Sequence, residues 1–193
     1  NSARDYGGGL YADDGATVLV SAGALVEIKY NEALEKSGGG AHLGKAAAAT
    51  ITGSGTRFVL ENNTAHRGGG LDIRSGSTVE VLSGAIVEAK GNTAHTYGGG
   101  VRLENASFLV ESGSRLLLER NNGRDYYGGG LHAEHGSTVS VLSDAIVEVK
   151  GNTALSSGGG INLEDAGTKL TVMGSGHLLL EGNSANNGGG LQV

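Results

Sequence analysis

Seven glycine triplets recur along this chain at almost constant intervals. They begin at Gly7, Gly38, Gly68, Gly98, Gly128, Gly158 and Gly188, so successive triplets are about 30 residues apart, and only the first interval is longer than the others, by a single position. A fixed period of roughly 20 to 50 residues is typical of repeat architectures, in which each unit buries its apolar face against its neighbours. The chain is therefore expected to be a solenoid with one coil per repeat.

The segments between the triplets have the character of short strands. Thr138–Val141 and residues 145–150 alternate along the chain and are rich in β-branched side chains, which is typical of strands. No helical pattern exceeds two turns, and residues 32–36 are the best candidate for a single helical turn. Each of the 37 glycines would cost nearly 1 kcal/mol inside a helix. Pattern and composition together predict an all-β fold.

Composition excludes several classes of protein. The 193 residues contain no proline and no cysteine, which excludes a collagen helix, a disulfide scaffold and a cysteine-ligated metal site. A hydrophobic content of 38% with a net charge of −6 argues against disorder and against nucleic acid as a partner. No apolar run approaches the roughly 18 residues of a membrane span, so no membrane insertion of this segment is expected. Because the chain begins at Asn1, we expect it to be a piece of a longer solenoid.

A recurring asparagine, five to seven residues before each triplet, predicts how the coils stack. The aligned residues are Asn1, Asn31, Asn63, Asn92, Asn121, Asn152 and Asn183. Two positions earlier the charge alternates strictly, through Lys29, Glu61, Lys90, Glu119, Lys150 and Glu181. In a parallel β-helix, successive members of such a column lie about 4.8 Å apart, so opposite charges become neighbours.

These columns predict a right-handed parallel β-helix of about 30 residues per coil, the hand being that of most parallel connections. We expect one segment over residues 1–193, with six coils and a partial seventh. The sequence super-repeat spans two coils, about 60 residues, because the charges repeat every second coil. The expected coils are 7–37, 38–67, 68–97, 98–127, 128–157, 158–187 and, in part, 188–193.

The repeated unit resembles the paired motifs of polymorphic outer membrane proteins, which read F-x-x-N and G-G-A-[IL]. The chain carries LENN at 60–63 before GGGL at 68–71, VKGN at 149–152 before GGGI at 158–161, and LEGN at 180–183 before GGGL at 188–191. Aliphatic residues replace the phenylalanine of the family motif, and glycine replaces its alanine. The resemblance implies a right-handed β-helical surface passenger, often an adhesin, and similar repeats occur in extracellular proteins of protists and algae.

The asparagines and the glycines admit both a structural and a ligand-binding interpretation. Asn31, Asn63, Asn92, Asn121, Asn152 and Asn183 are expected to form an amide ladder from coil to coil, with ligand binding as the alternative. The glycine triplets lack the strand-to-helix junction and the lysine of a phosphate loop. They instead predict tight turns with positive φ, or a close approach between coils.

The strand after each triplet carries the residues that are best suited to bind an ion or to act in catalysis. Glu104, Glu134 and Glu164 share one column, and carboxylates about 5 Å apart repel unless they are screened, protonated or bridged by a cation. Ca²⁺ binding and the acid–base chemistry of a polysaccharide-cleaving β-helix are therefore open alternatives to a solvated face of interspersed charge. The neighbouring column is predicted to point outward as well, and it contains Tyr11, His42, Asp72, Arg102, His132, Asn162 and Gln192.

Other candidate sites are less specific. His132, Glu134 and His135 are disfavoured as metal ligands, because neighbours in a strand alternate between faces, and no resident metal or other cofactor is predicted. No nucleophile elbow accompanies a Ser-His-Asp set, so no catalytic residue is assigned. Two N-x-[ST] sequons, at Asn62 and Asn105, can carry glycans if the protein is secreted from a eukaryotic cell.

The sequence therefore favours a non-catalytic scaffold, extracellular or on the cell surface, that serves as a rigid stalk, a fibre module or an adhesive segment. The alternative is a polysaccharide-binding or polysaccharide-cleaving β-helix that uses the Glu104, Glu134 and Glu164 face. No polar caps are visible at either end, so the expected partners are further coils or copies of the chain stacked end to end. Glycans and proteins of a host or cell surface are the other expected partners.

Overall fold

The computed structural model describes residues 1–193 as a stack of coils made of short strands, with no helix. In chain order the strands are β1 (Ser2–Ala3), β2 (Leu10–Ala12), β3 (Thr17–Val20), β4 (Leu25–Lys29), β5 (Glu32–Ser37), β6 (Ala41–Leu43), β7 (Ala48–Thr52), β8 (Arg57–Glu61), β9 (Thr64–Arg67), β10 (Leu71–Arg74), β11 (Thr78–Leu82), β12 (Ile86–Lys90), β13 (Thr93–Tyr97), β14 (Val101–Glu104), β15 (Ser107–Val110), β16 (Arg115–Glu119), β17 (Asn122–Gly123), β18 (Leu131–Glu134), β19 (Thr138–Val141), β20 (Ile146–Lys150), β21 (Thr153–Ala154), β22 (Ile161–Leu163), β23 (Lys169–Val172), β24 (His177–Glu181) and β25 (Leu191–Gln192). The structure contains no helix long and apolar enough to cross a lipid bilayer.

Four parallel sheets run along the stack. The first is β1-β5-β9-β13-β17-β21, the second is β2-β6-β10-β14-β18-β22-β25, the third is β3-β7-β11-β15-β19-β23 and the fourth is β4-β8-β12-β16-β20-β24. Each strand pairs with the strand one coil further on, as Leu71 pairs with Val101 and Val101 with Leu131. The predicted all-β parallel solenoid of about six coils, with one glycine triplet in each turn, is confirmed.

The helical turn considered for residues 32–36 is wrong. These residues lie in β5, which pairs in parallel with β9 of the next coil. Tertiary pairing decides here, because the helix-forming residues of this short segment can make backbone hydrogen bonds to both neighbouring coils.

The interior of the stack is filled by columns of aliphatic side chains. A single core cluster of 33 buried residues runs through the coils, and Val87, Leu116 and Val147 are neighbours in one of its columns. Burial of each such side chain is worth about 1.5–3 kcal/mol before conformational entropy is counted. Because the sheets alternate inward and outward side chains, the aliphatic columns also determine which residues face out.

The glycine triplets combine both of the constraints that their repetition suggested. Gly68 has φ +57°, a left-handed conformation in which a side chain is strained. A Cβ on Gly69 would lie 2.4 Å from the carbonyl oxygen of Thr93, almost a full turn further along the chain, and 2.6 Å from that of Gly99 in the next coil. The first glycine therefore permits the turn, and the second permits the backbones of two coils to approach each other.

Candidate functional site

A line of polar residues, hereafter the polar column, runs along the second sheet. Its members are Tyr11, His42, Asp72, Arg102, His132, Asn162 and Gln192, which stand in register on successive strands. One coil separates each member from the next, so a charge on one strand can reach a partner on the strand above or below. The polar column is therefore a continuous line of potential contacts along the molecule.

The prediction that this column faces solvent is wrong, because its central members are buried. Asp72 and His132 have no exposed surface, and Arg102 is 3% exposed. The turn at each glycine triplet folds back onto the column, and Tyr97 stacks on His132 with 5.0 Å between the ring centroids. Gly128 lies so close to His132 that a Cβ there would be 2.6 Å from the Cβ of the histidine.

The first half of the column is an ionic network that neutralises itself. His42 Nδ1 lies 2.9 Å from Asp72 Oδ2, and Arg102 donates to Asp72 Oδ1 at 3.1 Å. Arg74 Nε lies 3.3 Å from the same aspartate. Burial raises the pKa of Asp72, but the hydrogen bond with His42 and the charge of Arg102 outweigh it, so the pKa lies below its ordinary value. Asp72 is therefore a buried carboxylate with a partner on both sides.

Arg102 supplies the cation that two members of the glutamate column require. Its guanidinium donates to Glu104 Oε2 at 2.8 Å and to Glu134 Oε1 at 2.5 and 2.9 Å. Burial alone would raise the pKa of Glu134, but His132 and Arg102 have the larger and opposite effect, so the pKa lies at about 2. Burial alone would lower the pKa of Arg102, and the charges of its three carboxylate partners raise it above its ordinary value. Both carboxylates thus have a cationic partner within the protein.

Glu164, the third glutamate of this column, lies at the end of the network and has different neighbours. Its Oε2 is 3.8 Å from His132 Nε2, and its side chain is 45% exposed. Asn162 Nδ2 lies 3.2 Å from the other nitrogen of that imidazole. No lysine or arginine nitrogen lies within 4.0 Å of Glu164, so its charge has only a histidine beside it.

The structure brings His132, Glu134 and His135 together, contrary to the argument from strand alternation. His132 and Glu134 lie on the same face of β18, and the strand ends at Glu134. His135 then adopts φ +55°, which turns its ring so that Nδ1 lies 3.5 Å from Glu134 Oε2. His135 Nε2 is also 3.6 Å from Asp165 Oδ2. Glu134, His135 and Asp165 are close enough together to share a metal ion.

The asparagine column lies at the corner between the fourth and first sheets and uses its full hydrogen-bonding capacity. Asn92 Oδ1 accepts from the backbone N–H of Asn63 at 2.9 Å and from Asn63 Nδ2 at 3.0 Å. Asn92 Nδ2 donates to Leu60 O at 2.9 Å and to Asn121 Oδ1 at 3.0 Å. Asn63, Asn121 and Asn152 repeat this arrangement, whereas Asn31 donates to Lys29 O of its own strand and Asn183 makes three of the four contacts. An amide has four hydrogen-bonding positions, and from Asn31 to Asn152 none is left for a ligand.

The charged column of the fourth sheet stands in the expected register, but its contacts are richer than a single ladder. Its members are Lys29, Glu61, Lys90, Glu119, Lys150 and Glu181. Lys29 Nζ lies 3.1 Å from Glu61, and Lys150 lies 3.8 Å from Glu181. Lys29 and Lys150 make their shorter contacts within their own strands, as from Lys150 to Glu148 at 2.8 Å, and Arg115 of the preceding coil also binds Glu148.

The two sequons lie at exposed positions with left-handed backbone. Asn62 has φ +52° and Asn105 has φ +50°, and both side chains are exposed. Asn63, which follows Asn62, is fully buried in the amide ladder. Either exposed asparagine is thus accessible to a modifying enzyme, whereas the ladder asparagines are not.

The buried chain from His42 through Asp72 to Arg102 was not predicted from the sequence. Its signal was present, because these residues stand one repeat apart and alternate in charge. The sequence did not show that the column is buried, because side chains that pair with one another from coil to coil can lie either in the interior or in solvent.

Comparison with known proteins identifies the fold family. The family model described as right handed beta helix region matches residues 1–176. No curated protein and no solved structure matches the chain.

Proposed function

The chain belongs to the right-handed β-helix family, and from that premise we propose that it is a non-catalytic, extracellular scaffold, a rigid stalk or adhesive fibre module of a surface protein. The resemblance of its repeats to polymorphic outer membrane proteins supports a surface location. The family includes enzymes as well as structural proteins, so the argument depends on this chain's own residues.

The observation that carries the proposal is the unbroken bonding from coil to coil. Four sheets and one amide ladder link successive coils, and the ladder asparagines from Asn31 to Asn152 are all buried. Bending such a stack separates strands on its outer side and breaks several hydrogen bonds in each coil at once. Stiffness and long regular faces are the properties that a stalk or fibre requires.

The carboxylates of Glu104 and Glu134 support a non-catalytic role. A general acid must be protonated at the working pH, and the pKa of Glu134 is about 2. Glu104 and Glu134 share the guanidinium of Arg102 as a hydrogen-bond donor. These groups are arranged to neutralise one another, which suits a structural network.

Further coils, or copies of the chain stacked end to end, are the partners that we propose first. The charged column starts with Lys29 in the first coil and reaches Glu181 in the sixth. A following coil with a lysine at that position continues the alternation, and another copy of the first coil provides one. Glycans at Asn62 and Asn105, or proteins of a cell surface, are further proposed partners.

Polysaccharide binding is the second candidate function, and we propose it without cleavage. It was first considered for the Glu104, Glu134 and Glu164 face, but a cleft of about 280 Å³ lined by Tyr6, Arg67 and Arg74 favours it more. Lys36 Nζ lies 4.8 Å and the Arg74 guanidinium 5.1 Å from the centre of the Tyr6 ring. Cationic side chains around an aromatic ring suit an acidic sugar.

Three measurements test these proposals. Wild-type protein and Glu134→Gln are incubated with acidic and neutral polysaccharides, and neither is expected to release products. If wild type cleaves a polysaccharide and Glu134→Gln does not, the non-catalytic role is overturned. Antibody labelling of intact and permeabilised source cells tests the location, and staining only after permeabilisation would overturn it. Binding of uronic-acid polymers that Arg67→Ala abolishes would favour the second candidate.

A further inference from the structure

The residues directly before the glycine triplets form a second column, hereafter the pre-triplet column. Its members are Tyr6, Ser37, Arg67, Tyr97, Tyr127, Ser157 and Asn187, which pair in register from coil to coil. Each of its tyrosines lies against a histidine of the polar column. Tyr6 is 4.6 Å from His42 between ring centroids. Tyr97 and Tyr127 are 5.0 Å and 6.1 Å from His132. The chain thus repeats one tyrosine–histidine arrangement at two places along the stack.

At the first place, the chain supplies a cation of its own. The Arg74 guanidinium lies 5.1 Å from the centre of the Tyr6 ring, and Lys36 Nζ lies 4.8 Å from it. Arg74 Nε is also 3.3 Å from Oδ2 of Asp72, the carboxylate that pairs with His42. A cation that faces an aromatic ring and a carboxylate is attracted by both. Arg74 therefore shows how a cationic side chain fits beside the two columns.

At the second place, the ring and the carboxylates are present, but the chain supplies no cation to Glu164. His132 Nε2 lies 3.6 Å from Glu134 Oε1 and 3.8 Å from Glu164 Oε2. Arg102 neutralises Glu134, whereas Glu164 has no lysine or arginine nitrogen within 4.0 Å. No lysine or arginine side chain lies over the Tyr127 ring. The arrangement seen beside Tyr6 is therefore repeated here without its cation.

An open cleft of about 540 Å³ gives access to this second place. Tyr127, Glu164 and Asp165 are among the residues that line it. The side chains of Glu164 and Asp165 are 45% and 46% exposed, and within 4.0 Å each has only a histidine nitrogen as a potential cationic partner. The cleft thus combines an aromatic ring with two reachable carboxylates that no lysine or arginine neutralises.

His132 provides an independent indication that this site is incomplete. Its imidazole has no exposed surface, and Nε2 has no hydrogen-bond partner. Direct N–H···O hydrogen bonds are about 2.7–3.2 Å long, so both carboxylates lie too far from Nε2 to satisfy it. Buried polar atoms without a partner are rare in proteins, and each needs an explanation. The unsatisfied edge of the ring is the one that faces Glu164 and the cleft.

We propose that Tyr127, Glu164 and Asp165 bind an arginine or lysine side chain from a basic segment of a partner protein. The charge of that side chain faces the Tyr127 ring, and its N–H groups donate to the two carboxylates. A protein side chain is the occupant that we infer, because the cations beside Tyr6 are side chains as well. The net charge of −6 also favours the approach of a basic partner. The inference names a partner class for the adhesive role proposed above and rests on that role.

Titration of a fluorescent tetra-arginine peptide with the whole chain, followed by anisotropy in about 0.15 M salt, tests the site. Glu164→Gln should weaken binding about 10-fold, because a hydrogen bond between charged groups is lost. Tyr127→Leu should weaken it about 2- to 5-fold, whereas Tyr127→Phe keeps the ring face and should stay within about 2-fold of wild type.

Two matched controls separate this site from the general attraction of an acidic protein for a basic peptide. Glu80→Gln removes the same charge from β11 of the third sheet, and Tyr30→Leu removes a tyrosine that is 72% exposed. Both variants should bind within about 2-fold of wild type, since neither residue lines the cleft.

Four results would overturn the proposal. They are the absence of peptide binding by wild type, equal losses in Glu164→Gln and Glu80→Gln, unchanged binding in a folded Tyr127→Leu, and tighter binding of a chitosan tetramer than of the peptide. If Tyr127→Leu does not fold, Glu164→Gln and its control decide the question, because Glu164 is partly exposed and glutamine keeps its side-chain volume. If the peptide does not bind while intact cells are labelled by antibody, this inference fails and the surface location stands.

Discussion

Replacement of Asn121 by alanine tests the amide ladder at its centre. Asn121 Oδ1 accepts from the backbone N–H and the side-chain Nδ2 of Asn92, both at 3.0 Å. Its Nδ2 donates to Ala89 O at 2.9 Å and to Asn152 Oδ1 at 3.0 Å. Alanine removes all four contacts from a residue that is 1% exposed.

The expected cost follows from these four contacts. The backbone N–H of Asn92 loses its acceptor, which costs about 1–3 kcal/mol for a buried donor. The other three hydrogen bonds are worth about 0.5–1.5 kcal/mol each. The free energy of unfolding should therefore fall by about 2.5–7.5 kcal/mol, with entry of water into the vacated space placing the value near the lower end. Loss of this size is large beside a typical stability of roughly 5–15 kcal/mol.

The neighbouring Asn122 provides the matched control. It has the same side chain on the next residue, is exposed, and makes no side-chain hydrogen bond. Asn122→Ala should change the stability by about 0.5 kcal/mol or less. Both variants are compared with wild type by urea unfolding followed by far-ultraviolet circular dichroism. If the two variants differ by less than about 1 kcal/mol, the ladder is not the structural element inferred here.

Three further predictions follow from the packing and the charges. Asp72→Asn should make the stability depend less on pH in the acid range. The pKa of Asp72 in the folded protein lies below its ordinary 3.8, so the carboxylate stabilises the fold above about pH 4 and loses that effect as the pH falls further. Melting temperatures that run parallel for variant and wild type from pH 7 to pH 2 would contradict this. Gly69→Ala should lower the free energy of unfolding more than Gly76→Ala, because a Cβ on Gly69 would lie 2.4 Å from a backbone oxygen. Gly76 has φ +78° and no atom within 4 Å of its Cβ position, so only the conformational cost of about 1–2 kcal/mol applies there. Equal losses in denaturant unfolding would refute the close approach of the coils. Lys90→Glu should place a carboxylate between Glu61 and Glu119 of the neighbouring coils and lower the free energy of unfolding by about 1 kcal/mol or more at low salt. A loss that is unchanged in 1 M salt would count against the electrostatic interpretation.

The coil period, the parallel register and the inward columns could be predicted from sequence because each depends on spacing alone. Val87 and Leu116 are one repeat apart and flank polar positions, so the same periodicity that makes them neighbours also places them inside. The asparagine column is predictable for a similar reason, since an amide can bond to a copy of itself one coil away.

Burial of the polar column could not be predicted in that way. Spacing shows that His132 shares a column with Arg102, but not what lies over them. The cover on His132 includes Tyr97 and Tyr127, each of which directly precedes a glycine triplet. Tyr6 has the same position beside His42, and the remaining coils have serine, arginine or asparagine there. The approach of His135 to Glu134 was missed because alternation holds only within a strand, and a left-handed residue after the strand changes the direction of the side chain.

The two-coil period of the charges has a physical cause in the in-register stacking of the fourth sheet. In a parallel sheet with a one-coil period, every charged residue would lie beside a copy of itself and be repelled. The chain avoids this because odd coils carry an apolar residue, an acid and a base on the outer face of the strand, and even coils carry a base, an apolar residue and an acid. Glu148 shows the result, since it binds Lys150 on its own strand and Arg115 on the coil before. Two coils are the shortest period that gives each acid a base without placing like charges side by side, so the two-coil super-repeat follows from the stacking of single coils.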